Sequence, residues 1–162
     1  MKHILTLAAL ATLGACAGTP MNPFMQDSLP DAVKVPAGHR VAMETVGVGE
    51  ITYECKAKAQ SPAQMAADQY EWVFAGPKAA LLQHLQPATQ LAVAPAGAGN
   101  IPLQLVKANP AMGQGAMTGV THIQRVATKG GVAPALPCAS GNAGQKQVVA
   151  YQADYIFWKA AM

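Results

Sequence analysis

Alternation of apolar and polar residues, the period of a half-buried strand, recurs along most of this chain. In "EITYEC" Ile51, Tyr53 and Cys55 fall on one side, and Glu50, Thr52 and Glu54 on the other. Just upstream, in "GHRVAMETVGVG", Val41, Met43 and Thr45 alternate with Ala42, Glu44 and Val46. "YEWVFAG" places Tyr70, Trp72 and Phe74 together, and Gly76-Pro77 stops it. A short strand is predicted from Gln90 to Val93, and "IPLQLVKA" aligns Ile101, Leu103 and Leu105. "VTHIQRVAT" is a further strand, broken by Gly130-Gly131. The longest is "QVVAYQADYIFWKA", with Tyr151, Ala153, Tyr155 and Phe157 on one face and Ile156 and Trp158 on the other.

Helical signals are few. Ser61-Pro62-Ala63-Gln64 has the form of a helix start, with a Ser cap, Pro at the first position and Gln three residues on, inside a loop-like stretch. "PKAALLQHL" predicts one short helix. Many short strands between turn signals predict a mostly β fold, an antiparallel sandwich or small barrel with one short helix. No internal repeat is present.

The ends of the apolar pattern change the picture. Lys2 is followed by an apolar run from Ile4 to Leu13, too short to span a bilayer and the length of a signal-peptide core. Leu13-Gly14-Ala15-Cys16 then falls in the order of a bacterial lipobox, which predicts cleavage before Cys16 and lipidation of its sulfur. The alternative is an ordinary cut after Ala17, which discards the cysteine. The expected organisation is a lipoprotein-type signal peptide over residues 1–15, a proline-rich tether over 16–36, and a single β-rich domain over 37–162. The expected location is the outer membrane, facing the periplasm, with the membrane as partner through the lipid. A cut after Ala17 would make the protein secreted.

Of three cysteines, Cys55 and Cys138 remain for the folded domain. Disulfides persist outside the cytosol, so an even pair in an exported chain reads as one bridge. No C-x-x-C or close histidine pair favours metal instead.

Composition narrows the function. The formal charge of +3 is small and its positive residues are scattered, which does not suit nucleic-acid binding. Charged residues make up 12%, about half the usual share, so Gln, Thr, Ala and Gly must cover much of the surface. The 15 Gly and 12 Pro suit strands joined by many turns.

Catalytic chemistry is sparse. Ser28, Ser61 and Ser140 sit in loop contexts without G-x-S-x-G. Glu50, Glu54, Glu71 and Asp154 read as polar strand faces. His39, His84 and His122 form no H-x-H or H-x-x-x-H, although His122 and Gln124 share a strand face where they could coordinate a metal. Met21 and Met25, with Met112 and Met117, offer thioethers of the kind that select Cu(I). No metal site and no cofactor are assigned. "AGAGN" and "KGG" lack the spacing of phosphate-binding loops. Arg125 lies in a strand; its expected partner is Asp154 or a loop carbonyl, or else an anionic ligand.

Several pieces together resemble a known family. They are "GVGEITYEC", "YEWVFAGPKAAL", "IPLQLVKA", "GVTHIQRVATKGGVAPALPC" and "YQADYIFWKA". Trp72, Phe74, Gly76, Pro77 and Leu81, then Ile123, Arg125, Thr128, Gly130, Gly131, Pro134 and Cys138, fall in the order seen in the exported proteins called domain of unknown function 3455. The resemblance implies a secreted, mostly β domain and no particular activity. Members of that family carry a segment with Gly-Pro, Trp and Asp-Gly-Ser that is missing here between Leu82 and Ile101. The expectation is therefore an envelope-anchored lipoprotein with a non-enzymatic binding or structural role. The alternatives are a small-ligand, glycan or copper binder, or an enzyme acting on an envelope polymer. Any ligand is expected near Trp72, Arg125 and Tyr151.

Overall fold

The computed structural model describes residues 24–58, 69–77, 89–111 and 113–162. The helix signals at 61–64 and, after Pro77, in "PKAALLQHL" lie outside the described residues. The strands are β1 (His39–Ala57), β2 (Tyr70–Pro77), β3 (Thr89–Ala94), β4 (Leu103–Lys107), β5 (Val120–Gly130) and β6 (Lys146–Ala160). They form one six-stranded sheet in the order β2-β1-β6-β5-β4-β3, with every neighbouring pair antiparallel. The fold is therefore mostly β and antiparallel, and takes the form of a single curled sheet.

The two strands expected over 39–55 are one. Gly47 does not interrupt β1, because the ring of Tyr155 on β6 lies against it. A Cβ at Gly47 would come within 2.7 Å of the Tyr155 ring and 3.6 Å of the Tyr151 hydroxyl. This is the close approach for which a strand glycine is used.

The sheet buries both faces over β5 and the later half of β6, whereas β1 leaves one face open to solvent at Val46 and Val48. Tyr151, Ala153, Tyr155 and Phe157 of β6 pack on the inner face with Ile51, Ile101, Val120 and Ile123. Ile156 and Trp158 pack on the other face with Leu103, Leu105, Val126 and Ala94. The two faces of β6 are those its alternation predicts. Ile101 departs from its predicted alignment with Leu103 and Leu105. It precedes β4 and turns to the inner face, where its backbone N–H donates to Gly130 O at 2.9 Å.

The outer face is covered by residues 24–36, where the sequence predicts a spacer. Val33 and Val35 there are fully buried in the core with Trp158 and Leu105. Gln26 fastens the segment to itself, donating from Nε2 to Val35 O at 2.9 Å and accepting from Val35 N at 2.8 Å. Phe24 N donates to Glu44 Oε1 at 2.8 Å, and its ring stands edge-on to Trp158. The prolines that suggest a tether instead lie on a compact path, with a hydrogen-bonded turn from Gln26 to Leu29 and a one-turn 3-10 helix at Asp31–Val33. Four apolar residues, Phe24, Leu29, Val33 and Val35, anchor that path on the sheet.

Gly130 and Gly131 mark a crowded corner. Both have positive φ, 69° and 82°. A Cβ on Gly130 would stand 2.5 Å from Ala150 O, and one on Gly131 would meet Ile101, Tyr151 and Ile51 within 3.3 Å. Only glycine has both the conformation and the room. Beyond it, residues 132–145 return to the far end of β1, where Cys55 and Cys138 are bridged, with Cα atoms 5.6 Å apart. Cys55 is fully buried on the face it shares with Ile51.

Candidate functional site

Each of the three residues expected at a ligand site has a partner inside the protein. Trp72, opposite Cys55 on β1, donates from Nε1 to Leu136 O at 2.8 Å. Arg125 donates from Nε and Nη2 to Pro102 O, at 3.2 and 2.9 Å. A loop carbonyl is thus its partner; Asp154 lies opposite Val126, on the other face. Tyr151 is buried, with its hydroxyl 2.9 Å from that of Tyr155.

Register separates these residues. Arg125 lines up with Tyr155 and, through it, with Thr45 near the start of β1. Trp72 lines up with Cys55 near the end of β1. The structure therefore brings Arg125 and Tyr151 to one cluster and leaves Trp72 outside it. Tyr155 and Tyr53 complete the cluster, and sequence reasoning passed over both. The available signal was the same-face spacing of Tyr151 and Tyr155 opposite a glycine strand. Tyr53 donates to Gly131 O at 2.7 Å, closing the inner face.

The electrostatics keep Tyr155 and Tyr53 protonated. Burial first, then the hydrogen bond and proximity of Tyr151, hold Tyr155 far above the ordinary tyrosine value, against a smaller opposing pull from Arg125. Burial also raises Tyr53, again opposed by Arg125. A phenol so held is not a nucleophile or base at neutral pH. A raised folded-state pKa means stability is complete below the unfolded value, about 10, and is lost as pH climbs above it. We expect Tyr155→Phe to flatten the loss of stability above about pH 10, measured by urea titration across alkaline pH. An unchanged slope would show that Tyr155 does not control it.

A different cluster forms where β1 begins. His39 opens β1, and His122 on β5 lies opposite Lys107 of β4. The two imidazoles stand edge to face, with ring centroids 4.7 Å apart and planes at 88°. His39 Nδ1 is 3.0 Å from Pro36 O, which can only accept, so Nδ1 carries the proton. His122 Nδ1 is 3.1 Å from Thr121 Oγ1, and that hydroxyl directs its own proton to Trp158 O. His122 Nδ1 is therefore also a donor. Both rings are left with bare Nε2 lone pairs. Burial, then His39, then Lys107 lower the His122 pKa, which favours the neutral ring.

Sequence reasoning paired His122 with Gln124 as possible ligands. Gln124 is instead fully buried on the outer face, with its amide engaged by Val33, Gln26 and Trp158. His39 is the actual neighbour of His122, and strand register alone could have indicated it only with β1, β6 and β5 already in order. Beside this end, a cleft of about 380 Å³ opens between Lys107, Ala108, Pro110, Gly119, Val120 and Thr121. Among the described residues, no group of three or more His, Cys, Asp or Glu converges.

A family model described as "Protein of unknown function (DUF3455)" matches residues 36–93 and 85–159. No curated protein and no solved structure matches the chain.

Proposed function

The chain belongs to the DUF3455 family of proteins of unknown function, and from that premise we propose an exported, lipid-anchored envelope protein that acts by binding or structural contact rather than by catalysis. The observation that carries the proposal is the bridge between Cys55 and Cys138, which closes the domain around a fully buried sulfur. Such bonds persist in oxidising compartments. The lipobox order of Leu13, Gly14, Ala15 and Cys16 supplies the matching anchor. The non-catalytic half of the proposal is supported by the inner-face cluster, whose polar atoms serve the fold: Arg125 holds Pro102, Tyr53 holds Gly131, and Tyr151 pairs with Tyr155.

Anchoring at Cys16 would have a geometric consequence. Because residues 24–36 pack on the sheet, the lipid and the packed segment would be separated only by the chain from Cys16 to Phe24, a contour of at most about 28 Å. The domain would then ride close to the bilayer. The test is the intact mass of protein extracted from the envelope. Acylation at Cys16 is the expected result; an unmodified chain beginning at Gly18 would overturn the anchor and leave a secreted protein.

A further inference from the structure

We propose that the outer edge of β3 is a self-association surface, where a second copy of this chain adds its own β3 antiparallel and extends the sheet. The proposal does not depend on the lipid anchor. It starts from the edges. The strand order leaves β2 and β3 outermost, and an outermost strand presents unpaired N–H and C=O groups unless something blunts it. β2 carries Glu71 and ends at Gly76-Pro77. β3, "TQLAVA", holds no charge and no proline. Among the described residues it pairs only with β4. Residues 24–36 cover one face of β3 through Val33, which packs with Ala92 and Ala94, and make no backbone hydrogen bond to its edge.

Shape selects the occupant. In strand addition the main chain supplies affinity and the side chains choose the partner. Leu91 is 49% exposed and Val93 48%. The ladder shifts between Gln90 and Ala92, so Leu91 has no partner on β4 and stands as a knob. At the other end of the strand, Val93, Ala94, Pro95, Ala96 and Pro102 line an apolar cleft of about 530 Å³. Antiparallel pairing exchanges the ends of the strand, so each knob meets the other copy's cleft across a two-fold axis. With that axis at Ala92, Leu91 lies opposite the partner's Val93, and Gln90 opposite the partner's Ala94. A second copy thus brings both the knob and the cleft that this edge needs.

Charge permits the contact. Lys107, across from Thr89, is the charged residue that β4 brings to β3. Around an axis at Ala92 the two lysines fall about 20 Å apart along the strands, beyond the screening length of about 8–10 Å. A net charge of +3 adds little repulsion between copies.

The test is sedimentation of the full chain over rising concentration, with amide exchange along β3. The expected parent is a reversible mixture of monomer and dimer. Leu91→Lys and Val93→Lys put charge at exposed edge positions, the device that blunts natural edges. Each should weaken the dimer by about tenfold or more, with an unchanged far-ultraviolet spectrum. Val48→Lys, on the open face of β1, should leave the dimer intact. Ala92→Cys places one thiol beside its symmetry mate, within disulfide reach, so mild oxidation should join two copies through it, whereas Val48→Cys should stay monomeric on a denaturing gel. Both cysteine variants carry Cys16→Ala, which leaves no other free thiol beside the Cys55–Cys138 bridge. A chain that stays monomeric overturns the proposal, and protected β3 amides in that monomer would assign the edge to another segment of the same chain. A dimer that survives both lysine substitutions in β3, or that Val48→Lys breaks, overturns it as well. A dimer that lysine breaks but oxidation does not join through Ala92 overturns the antiparallel pairing.

Discussion

Loss of the Cys55–Cys138 bridge lowers the thermal midpoint by about 15 °C, the expected result for a cross-link closing so long a loop. The bridged residues are 83 positions apart. The chain-entropy model then gives about 4.5 kcal/mol, and a domain of this size moves by about 3–5 °C per kcal/mol. The cost falls on the unfolded chain, because the native loop has other fastenings. Trp72 holds Leu136 O, and Asn142 donates from Nδ2 to Pro137 O at 2.6 Å. Gly144 N donates to Cys55 O at 2.8 Å, and Cys55 N to Gln145 O at 2.9 Å. The fold should therefore persist below the lowered midpoint, with the same far-ultraviolet spectrum. The buried Cys55 resists mild reductants, so the measurement is calorimetry of a Cys55→Ala, Cys138→Ala double variant. A shift under about 3 °C would mean that the bridge adds little beyond these hydrogen bonds.

The strands were legible because their chemistry is local. Seven runs of alternation became six strands, because the first two join through Gly47–Gly49 into β1. β6 was read correctly on both faces. The pairing of Cys55 with Cys138 followed from counting and compartment, and the structure contains it. What the sequence concealed was contact between distant segments. Residues 24–36 have no period, because they pack as a strap made of a turn and a one-turn 3-10 helix, and use Phe24, Leu29, Val33 and Val35 at irregular spacing. Trp72 and Arg125 are expected at one ligand site although they come from two separate motifs. Register puts them at different ends of the sheet, and register depends on all six strands together. The His39–His122 contact was missed for the same reason: it joins residues from strands that are not adjacent in sequence or in the sheet.

Replacing Gln124 should show how strongly the strap and sheet depend on each other. This side chain is fully buried, and its amide joins three segments. Nε2 donates to Val33 O at 2.6 Å and to Gln26 Oε1 at 3.1 Å, while Oε1 accepts from Trp158 Nε1 at 2.8 Å. Trp158 is itself only 6% exposed, so no solvent replaces the lost acceptor. Gln124→Leu keeps most of the volume and leaves the indole N–H and a strap carbonyl without partners. At about 1–3 kcal/mol for each orphaned group, the expected loss is about 3–5 kcal/mol. Gln124→Glu should cost more at neutral pH, because a carboxylate would face Val33 O and Gln26 Oε1 with no donor to offer. The loss should also be localised. Amide exchange in Gln124→Leu is expected to rise first at Val33 and Val35, while β6 and β1 keep their protection. A partial restoration in the Gln124→Leu, Trp158→Phe double variant would assign part of the cost to the unpaired indole, since that pair of changes removes donor and acceptor together. If Gln124→Leu costs less than about 1 kcal/mol, residues 24–36 are held by their apolar side chains alone, and the amide network only sets their register.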